Sequence, residues 1–582
     1  MGVVNRTLRR RAAARARVQS GFVCLCWALS GILVGGASLA KSAVAQEQPN
    51  PLSQGPATNG ATEPALVVTL ASLDKLTNDI NYITGVVGQP QAGAIFSMMT
   101  GQMTRGLDTT QPIGVIVPLV DGAPEPIALI PTSDVKQLLK SIEAQTGPAD
   151  EQADGTLIIA IGPNVVYIRQ MGNWAVVARN QELLDLAPAN PNALFQGMGN
   201  EYDIAVRLQV QQVPPEVREM LVGQLRQGFE QAMAQQAEGD DQSARQIAEG
   251  TIKQLEMIIN DTDELKFGWN IDQPQKQMFV DVSMSAVAGS PLAGIYQGQQ
   301  PIPSAFSGVI RNNAAAYYHA AASVSPETIA QTRSGLDGSL AAIRNAIANA
   351  EKLNDQQRAD INELVDRIVK IAVDSMAEGK VDMGALLMAD DSNFQFALGS
   401  FVADGQEVAR LAKDLAAKVK DEPKAPRFFF DQETYRGVVM HRVEADVPAS
   451  EDEVRRIFGE TLKVHVGTGP KSVYLAIGDQ SESLMKELID GGEQNGAAQP
   501  SLGQLRVQLL PILQYAQSIE ANDAIAAMID ALSRAPDPGL ITAIANTIPN
   551  GQSTRIVLGE GLLQAIGAAA RQAQQNRQGD QF

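Results

Sequence analysis

Between residues 204 and 210, Ile204, Val206, Leu208 and Val210 alternate with Ala205, Arg207 and Gln209. That two-residue period predicts a strand with one buried face. Val280, Val282 and Met284 alternate in the same way with Asp281, Ser283 and Ser285, which predicts a strand with one wet face. Near residue 361 the period lengthens. Ile361, Leu364, Val365, Ile368, Ala372 and Met376 fall at steps of three and four, the stripe of an amphipathic helix. Residues 113–120 and 126–131 are apolar at almost every position, as in strands covered on both faces. Asp121-Gly122 supplies the turn between them.

These patterns combine into one unit, clearest at residues 314–420. A strand over 314–324 meets Ser325-Pro326, a cap followed by a proline suited to a first helical turn. A helix over 327–350 follows, then a second capped by Asn354 or Asp355 and ended at Gly379. Strands 381–388 and 394–402 flank the turn Asp390-Asp391-Ser392-Asn393, and a helix over 406–420 closes the unit. The same order is legible at 64–145, 202–300 and 501–570, while β-meanders are predicted at 155–187 and 426–490. The expected fold is α+β, a tandem duplication of β-α-α-β-β-α units with intervening antiparallel β-meanders and helices packed on antiparallel sheets. The first half spans 64–300, with units 64–145 and 202–300 around meander 155–187. The second spans 301–570, with units 314–420 and 501–570 around meander 426–490. Their join falls in a stretch rich in Pro, Gly, Gln and Ser at 298–313. The tail at 571–582 is expected to fray.

The N-terminus changes the picture of location. Six arginines precede an apolar run over 21–40, and Ala43-Val44-Ala45 gives a small-x-small pattern before Gln46. This predicts a signal peptide over 1–45, cleaved between Ala45 and Gln46 with Ala43 and Ala45 as recognition residues, and export to the periplasm or cell envelope. An uncleaved anchor is the rival reading, since about 20 apolar residues can span a bilayer. After cleavage no membrane span is expected. Residues 46–63 form a polar, flexible linker. Both cysteines, Cys24 and Cys26, fall in the removed segment, so a mature chain has no disulfide, thiolate nucleophile or Cys metal site. Removing the seven basic residues of that segment moves the formal charge from −19 to −26. Nucleic acid and anionic lipid surfaces are poor partners for such a chain.

Candidate chemistry is sparse. His319, His441 and His465 are the only histidines, none at metal-ligand spacing to another His or Cys. Ser-x-x-Lys occurs at Ser72/Lys75, Ser133/Lys136 and Ser483/Lys486, each near a predicted helix start where serine serves as a cap. Gly467–Ser472 departs from the phosphate-loop spacing and precedes a strand. Trp174 and Trp269 lie among apolar neighbours and are expected in the core, with a ligand wall as the alternative. Phe96, Met98, Met99 and Met103 make a soft apolar helix surface, expected to fill core. No catalytic, cofactor-binding or metal residue is assigned, and no cofactor is expected.

The phrase at 112–120 and 126–134, ending Pro131-Thr132-Ser133-Asp134 before a helix, then residues 162–167 and 174–178, resembles uncharacterised secreted proteins of planctomycete-type bacteria. They repeat a strand, strand, Pro-x-x-Asp, helix phrase. The resemblance implies no activity, cofactor or functional residue. The expectation is a non-enzymatic envelope or periplasmic protein acting through its surface on an envelope protein partner. A carrier of a hydrophobic ligand, lipid or lipoprotein, is the alternative, and a hydrolase of dispersed residues a weaker one.

Overall fold

The structure, a computed structural model, describes residues 63–236, 242–350, 353–420, 425–478, 480–494 and 501–579. The signal peptide, its cleavage residues Ala43, Ala45 and Gln46, and nearly all of the linker lie outside the described residues.

The fold is α+β. The chain begins β1 (Leu66–Leu70), α1 (Leu73–Val86), α2 (Pro90–Met103), β2 (Ile113–Val117), the small hairpin β3 (Leu119–Val120) and β4 (Ala123–Pro124), β5 (Ile127–Pro131) and α3 (Val135–Thr146). A meander follows, with β6 (Asp150–Glu151), β7 (Leu157–Ile161), β8 (Asn164–Met171), β9 (Trp174–Ala178) and the one-turn α4 (Pro191–Leu194). Next come β10 (Ile204–Gln209), α5 (Pro215–Gln236), α6 (Gln242–Asp261), β11 (Thr262–Asp272), β12 (Gln277–Ala286) and α7 (Pro291–Gly298). The second half runs β13 (Ala316–Ser323), α8 (Pro326–Ala348), α9 (Asp355–Ala377), β14 (Lys380–Ala389), β15 (Phe394–Phe401) and α10 (Gly405–Val419). Its meander holds β16 (Arg427–Tyr435), β17 (Val438–Asp446), α11 (Asp452–Phe458), β18 (Thr461–Gly469), β19 (Ser472–Gly478) and α12 (Ser481–Gln494). The chain closes with β20 (Gly503–Gln508), α13 (Leu509–Ile519), α14 (Asp523–Arg534), β21 (Leu540–Ile548), β22 (Gly551–Gly559) and α15 (Glu560–Gly579).

Local chemistry places these boundaries. Ser72, Ser290 and Ser325 each accept from the backbone N–H three residues on, and Asn354 with Gln357 forms a capping box. Gly379 takes a left-handed φ of 71° just past α9. The last helix runs to Gly579, and Arg571 Nη1 donates to Val87 O at 2.6 Å. Residues 571–579 belong to that helix, and Val87 lies just past the end of α1.

Every strand pairing is antiparallel. Among the described residues twenty strands form one sheet, in the order β6-β7-β8-β9-β5-β2-β1-β10-β11-β12-β22-β21-β20-β13-β14-β15-β19-β18-β17-β16. Strand, two helices, two strands, helix occurs at four places, and each time the three strands are neighbours. In the chain each meander lies between two units, but in the sheet it does not. Paired units meet directly through their first strands, β1 on β10 and β13 on β20. Each meander instead covers the outer edge of a third strand, β9 on β5 and β19 on β15, which would otherwise leave backbone groups unpaired. The halves join at β12–β22. That seam is reciprocal: Ala286 N donates to Asn550 O and Glu560 N to Lys276 O, both at 2.9 Å. Lys276 and Asn550 both take left-handed φ, 52° and 53°, in the hairpin turns.

One sheet face carries dense cores only at its flanks. In the first half Phe195, Leu183 and Leu184 pack on Ile116, Leu129 and Val176. In the second, Phe306, Val309 and the α12 residues Met485 and Leu488 pack on Leu386, Tyr474 and Ala476. The opposite face is roofed by two groups of helices. α1, α2, α3, α13, α14 and α15 spring from one end of the central strands, and α5 to α10 from the other.

Candidate functional site

The central strands sort their side chains by face. In β11, Glu264 and Lys266 point one way and Leu265, Phe267 and Trp269 the other. In β12, Asp281 and Ser283 oppose Val280, Val282 and Met284. Pairing register carries this division across the sheet, because directly paired residues share a face.

On the helix-roofed side two apolar rows cross ten strands from β2 to β14. One runs Ile113, Leu70, Ile204, Trp269, Val280, Ile556, Ala543, Leu505, Tyr318, Ala385, each paired to the next. The other includes Val68, Val206, Phe267 and Val282. At a strand spacing of about 4.8 Å the rows extend for roughly 45 Å. Apart from Ala543, the first row is half-buried or exposed, and Phe267 and Ile556 keep 41% and 36% of their surface. In the roof, α1 buries Asp79 but no apolar residue and Met220, Leu221 and Leu225 of α5 are exposed, while Leu292 of α7, Ile371 of α9, Leu411 of α10, Leu513 of α13 and Leu532 of α14 are buried. These rows leave a partly open apolar strip, a trough, across the strands. Trp269, expected in the core, lines it, while Trp174 is buried against Phe195 in the flank. Burial raises the pKa of the Tyr318 hydroxyl in the same row.

Two depressions lie elsewhere. One, of about 440 Å³, is lined by Tyr296, Gln297, Gln300 and turn residues 547–550. The other, of about 210 Å³, separates α9 from α10 between Leu364 and Leu411, under Asp360, Arg367 and Lys418.

A buried polar cluster fixes the start of α1, one wall of the trough. The Lys75 ammonium donates to Asp79 Oδ2 at 2.8 Å, to Asn270 Oδ1 at 2.9 Å, and to Asp203. Asp203 also accepts from Ile271 N at 2.7 Å, and Gln273 Nε2 donates to Asp79 at 2.6 Å. Burial pushes the Asp203 carboxyl up to about 6, against the pull of Lys75 and with a push from Asp79. Farther along α1, Tyr82 donates to Glu560 Oε2 at 2.5 Å, tying this wall to α15.

The histidines hold the framework. Ser304 Oγ donates to Asp382 Oδ1 at 2.6 Å and lies 2.9 Å from His319 Nε2. With the serine proton committed to the carboxylate, Nε2 carries the imidazole proton and donates. This is the reverse of a nucleophile facing its base. Ser304 is buried, and burial lowers the His319 pKa to about 4. His441 Nδ1 accepts from Asp431 N at 3.0 Å and fixes a bulge in β16, while His465 lies 3.7 Å from Glu482.

The three Ser-x-x-Lys pairs do not act as pairs. Ser72 caps α1, as expected of a cap. At the second, the cap is Asp134 and Lys136 reaches Glu151 at 2.7 Å; at the third, Lys486 reaches Glu433 at 2.6 Å. Among the described residues no group of three or more His, Cys, Asp or Glu is placed to hold a metal ion, and no helix is long and apolar enough to cross a membrane.

No protein-family model matches this chain. No curated protein matches it. Among solved structures, "Structure of crystal form IV of TP0453" aligns over 39% of this chain and 78% of that chain, at 7% identity and a TM-score of 0.21. A likeness that low carries no argument about fold or function.

Proposed function

We propose that this protein is a non-enzymatic holder or carrier of an elongated apolar ligand, such as an acyl chain, working in the periplasm or cell envelope. The observation that supports it is the trough, with apolar rows on ten strands left half-covered. Soluble proteins rarely leave apolar area of that extent open without a partner for it. Covering about 400 Å² of it would contribute on the order of 10 kcal/mol gross, before the costs of association. The polar groups near it are few, and Tyr318 offers one hydroxyl to orient a ligand. Export rests on the basic stretch, apolar run and Ala43-Val44-Ala45 of the N-terminus. Action on an envelope protein through the outer surface, the expectation from sequence, has no comparably specific feature behind it.

Native mass spectrometry of the protein isolated from its own envelope fraction, before and after organic extraction, tests this reading. A removable, stoichiometric small molecule is expected. A bare mass in both samples, with no uptake of a fluorescent fatty acid by the extracted protein, would overturn it.

A further inference from the structure

The geometry points to α2 as the element by which this protein seats itself on an uncharged or zwitterionic lipid surface. This deepens the trough reading by naming the surface from which the ligand is taken, though the docking stands on its own observations.

Residues 90–103 contain no Asp, Glu, Lys, Arg or His, in a chain of which 19% is charged. The orientation of the helix is fixed. A Cβ on Gly93 would lie 2.5 Å from Asn81 Oδ1 and 3.1 Å from its Cα, so the two helices touch there, and Asn81 Nδ2 donates to Ser97 Oγ at 2.9 Å. With positions 93 and 97 turned to α1, Ile95, Met98 and Met99 turn away. They keep 55%, 62% and 55% of their surface, and no large side chain described in this helix is buried. An uncharged helix with its apolar stripe outward belongs against lipid or another apolar surface.

The corresponding helix of the second half shows that the fold does not require this. α9 occupies the same place in its unit yet carries Arg358, Asp360, Glu363, Asp366, Arg367 and Lys370 among its charged residues. Arg367 is paired to Glu407 and Asp414, and Asp366 to Arg344. The uncharged outward stripe of α2 is therefore not shared by α9.

Area and charge choose the occupant. Three side chains exposed to this extent offer roughly 300 Å², well under the ~800 Å² per partner of a stable dimer, so a second copy is a poor fit. With no basic residue on α2 and a formal charge of −19, there is nothing to draw it to anionic headgroups. Insertion of a few aliphatic side chains gives a reversible attachment, suited to a carrier that must leave again.

The test is flotation of the full-length protein as isolated with vesicles of phosphatidylcholine, and with vesicles of phosphatidylcholine and phosphatidylglycerol. The parent and an Ile95→Ser/Met98→Ser/Met99→Ser variant are compared, with circular dichroism to show that the variant folds. The parent should float with neutral vesicles and gain nothing from anionic lipid. The variant should lose at least tenfold in bound fraction while still taking up a fluorescent fatty acid in solution. Equal flotation of the two, or none for the parent, overturns the proposal, as does a doubled solution mass that the variant abolishes without any vesicle binding. A Val282→Asp variant on the trough floor separates the two readings. If it floats normally and fatty-acid uptake is undiminished, the trough reading fails while docking through α2 stands.

Discussion

Asp281 and Arg555 face each other across the β12–β22 seam, and the guanidinium grips the carboxylate with two bonds of 2.8 Å. They hold the same place in the two halves, since each lies five residues after its left-handed turn residue, Lys276 or Asn550. A symmetric seam between two copies of one half would bring Asp281 against Asp281, or Arg555 against Arg555. The opposite charges favour pairing of unlike halves. Tyr202 supports the carboxylate with a 2.9 Å hydrogen bond.

Reversing one charge should therefore weaken the seam. Asp281→Arg is expected to lower stability by about 2–3 kcal/mol, because it sets two guanidinium groups opposite each other on paired strands. Asp281→Arg combined with Arg555→Asp should recover most of the loss. Denaturant midpoints of the four members of this cycle measure it, and purely additive effects would dissolve the pairing argument.

Asp203 gives stability an unusual slope with pH. Its carboxyl, raised to about 6 by burial, holds a proton more tightly in the fold than in the unfolded chain. The stability it adds is full below the ordinary aspartate range and is lost as pH rises through about 6, a change of at most about 3 kcal/mol. Asp203→Asn should remove that fall between pH 4 and 6. Thermal midpoints across this range decide the matter, and parallel profiles for the two proteins would contradict it.

His319 works with the opposite sign. Burial holds its imidazole neutral down to about 4, so the stability it supports is present above the ordinary histidine range and is lost as pH falls from about 6.5 toward 4. In an NMR titration its ring protons should stay unshifted until below pH 5. A midpoint near 6.5 would place the ring in water and refute the buried Ser304–His319 contact.

Two phenylalanines should separate core from trough. Phe306 is 1% exposed and lies against Gly384 and Gly399, where added Cβ atoms would come within 2.9 Å and 2.4 Å of it. Phe306→Ala should lose about 3–5 kcal/mol. Phe267→Ala, on the trough floor, should lose less than about 1 kcal/mol. Similar losses in urea unfolding would mean that the helix-roofed face is ordinary core.

Much of the local structure was legible because it depends on near neighbours. The alternation at 280–285 located β12, and the serines at 72 and 325 marked helix starts. The partner of β12 was not legible, because nothing local to Asp281 indicates a strand 274 residues away. Ser304 gave no signal beside His319 for the same reason. The trough was hidden for a different one. Periodicity shows which way Trp269 and Val280 face, but it does not show whether the roof above them closes. Met98 and Met99, expected to fill core, are exposed because α2 meets α1 through Gly93 and Ser97 instead.

The reciprocal seam also sets a timetable. Strand β12 leaves the ribosome long before β22, and at about 5–20 residues per second the 274 residues between Asp281 and Arg555 take roughly 15–55 s to make. Through that interval the first half has an open edge ten residues long, alternating apolar and polar, whose proper neighbour does not yet exist. Such an edge is a template for other strands, although its own copy on another nascent chain would set Asp281 against Asp281. Completion of the sheet is the business of the last strand made, and a chain truncated before residue 551 would carry that adhesive edge permanently.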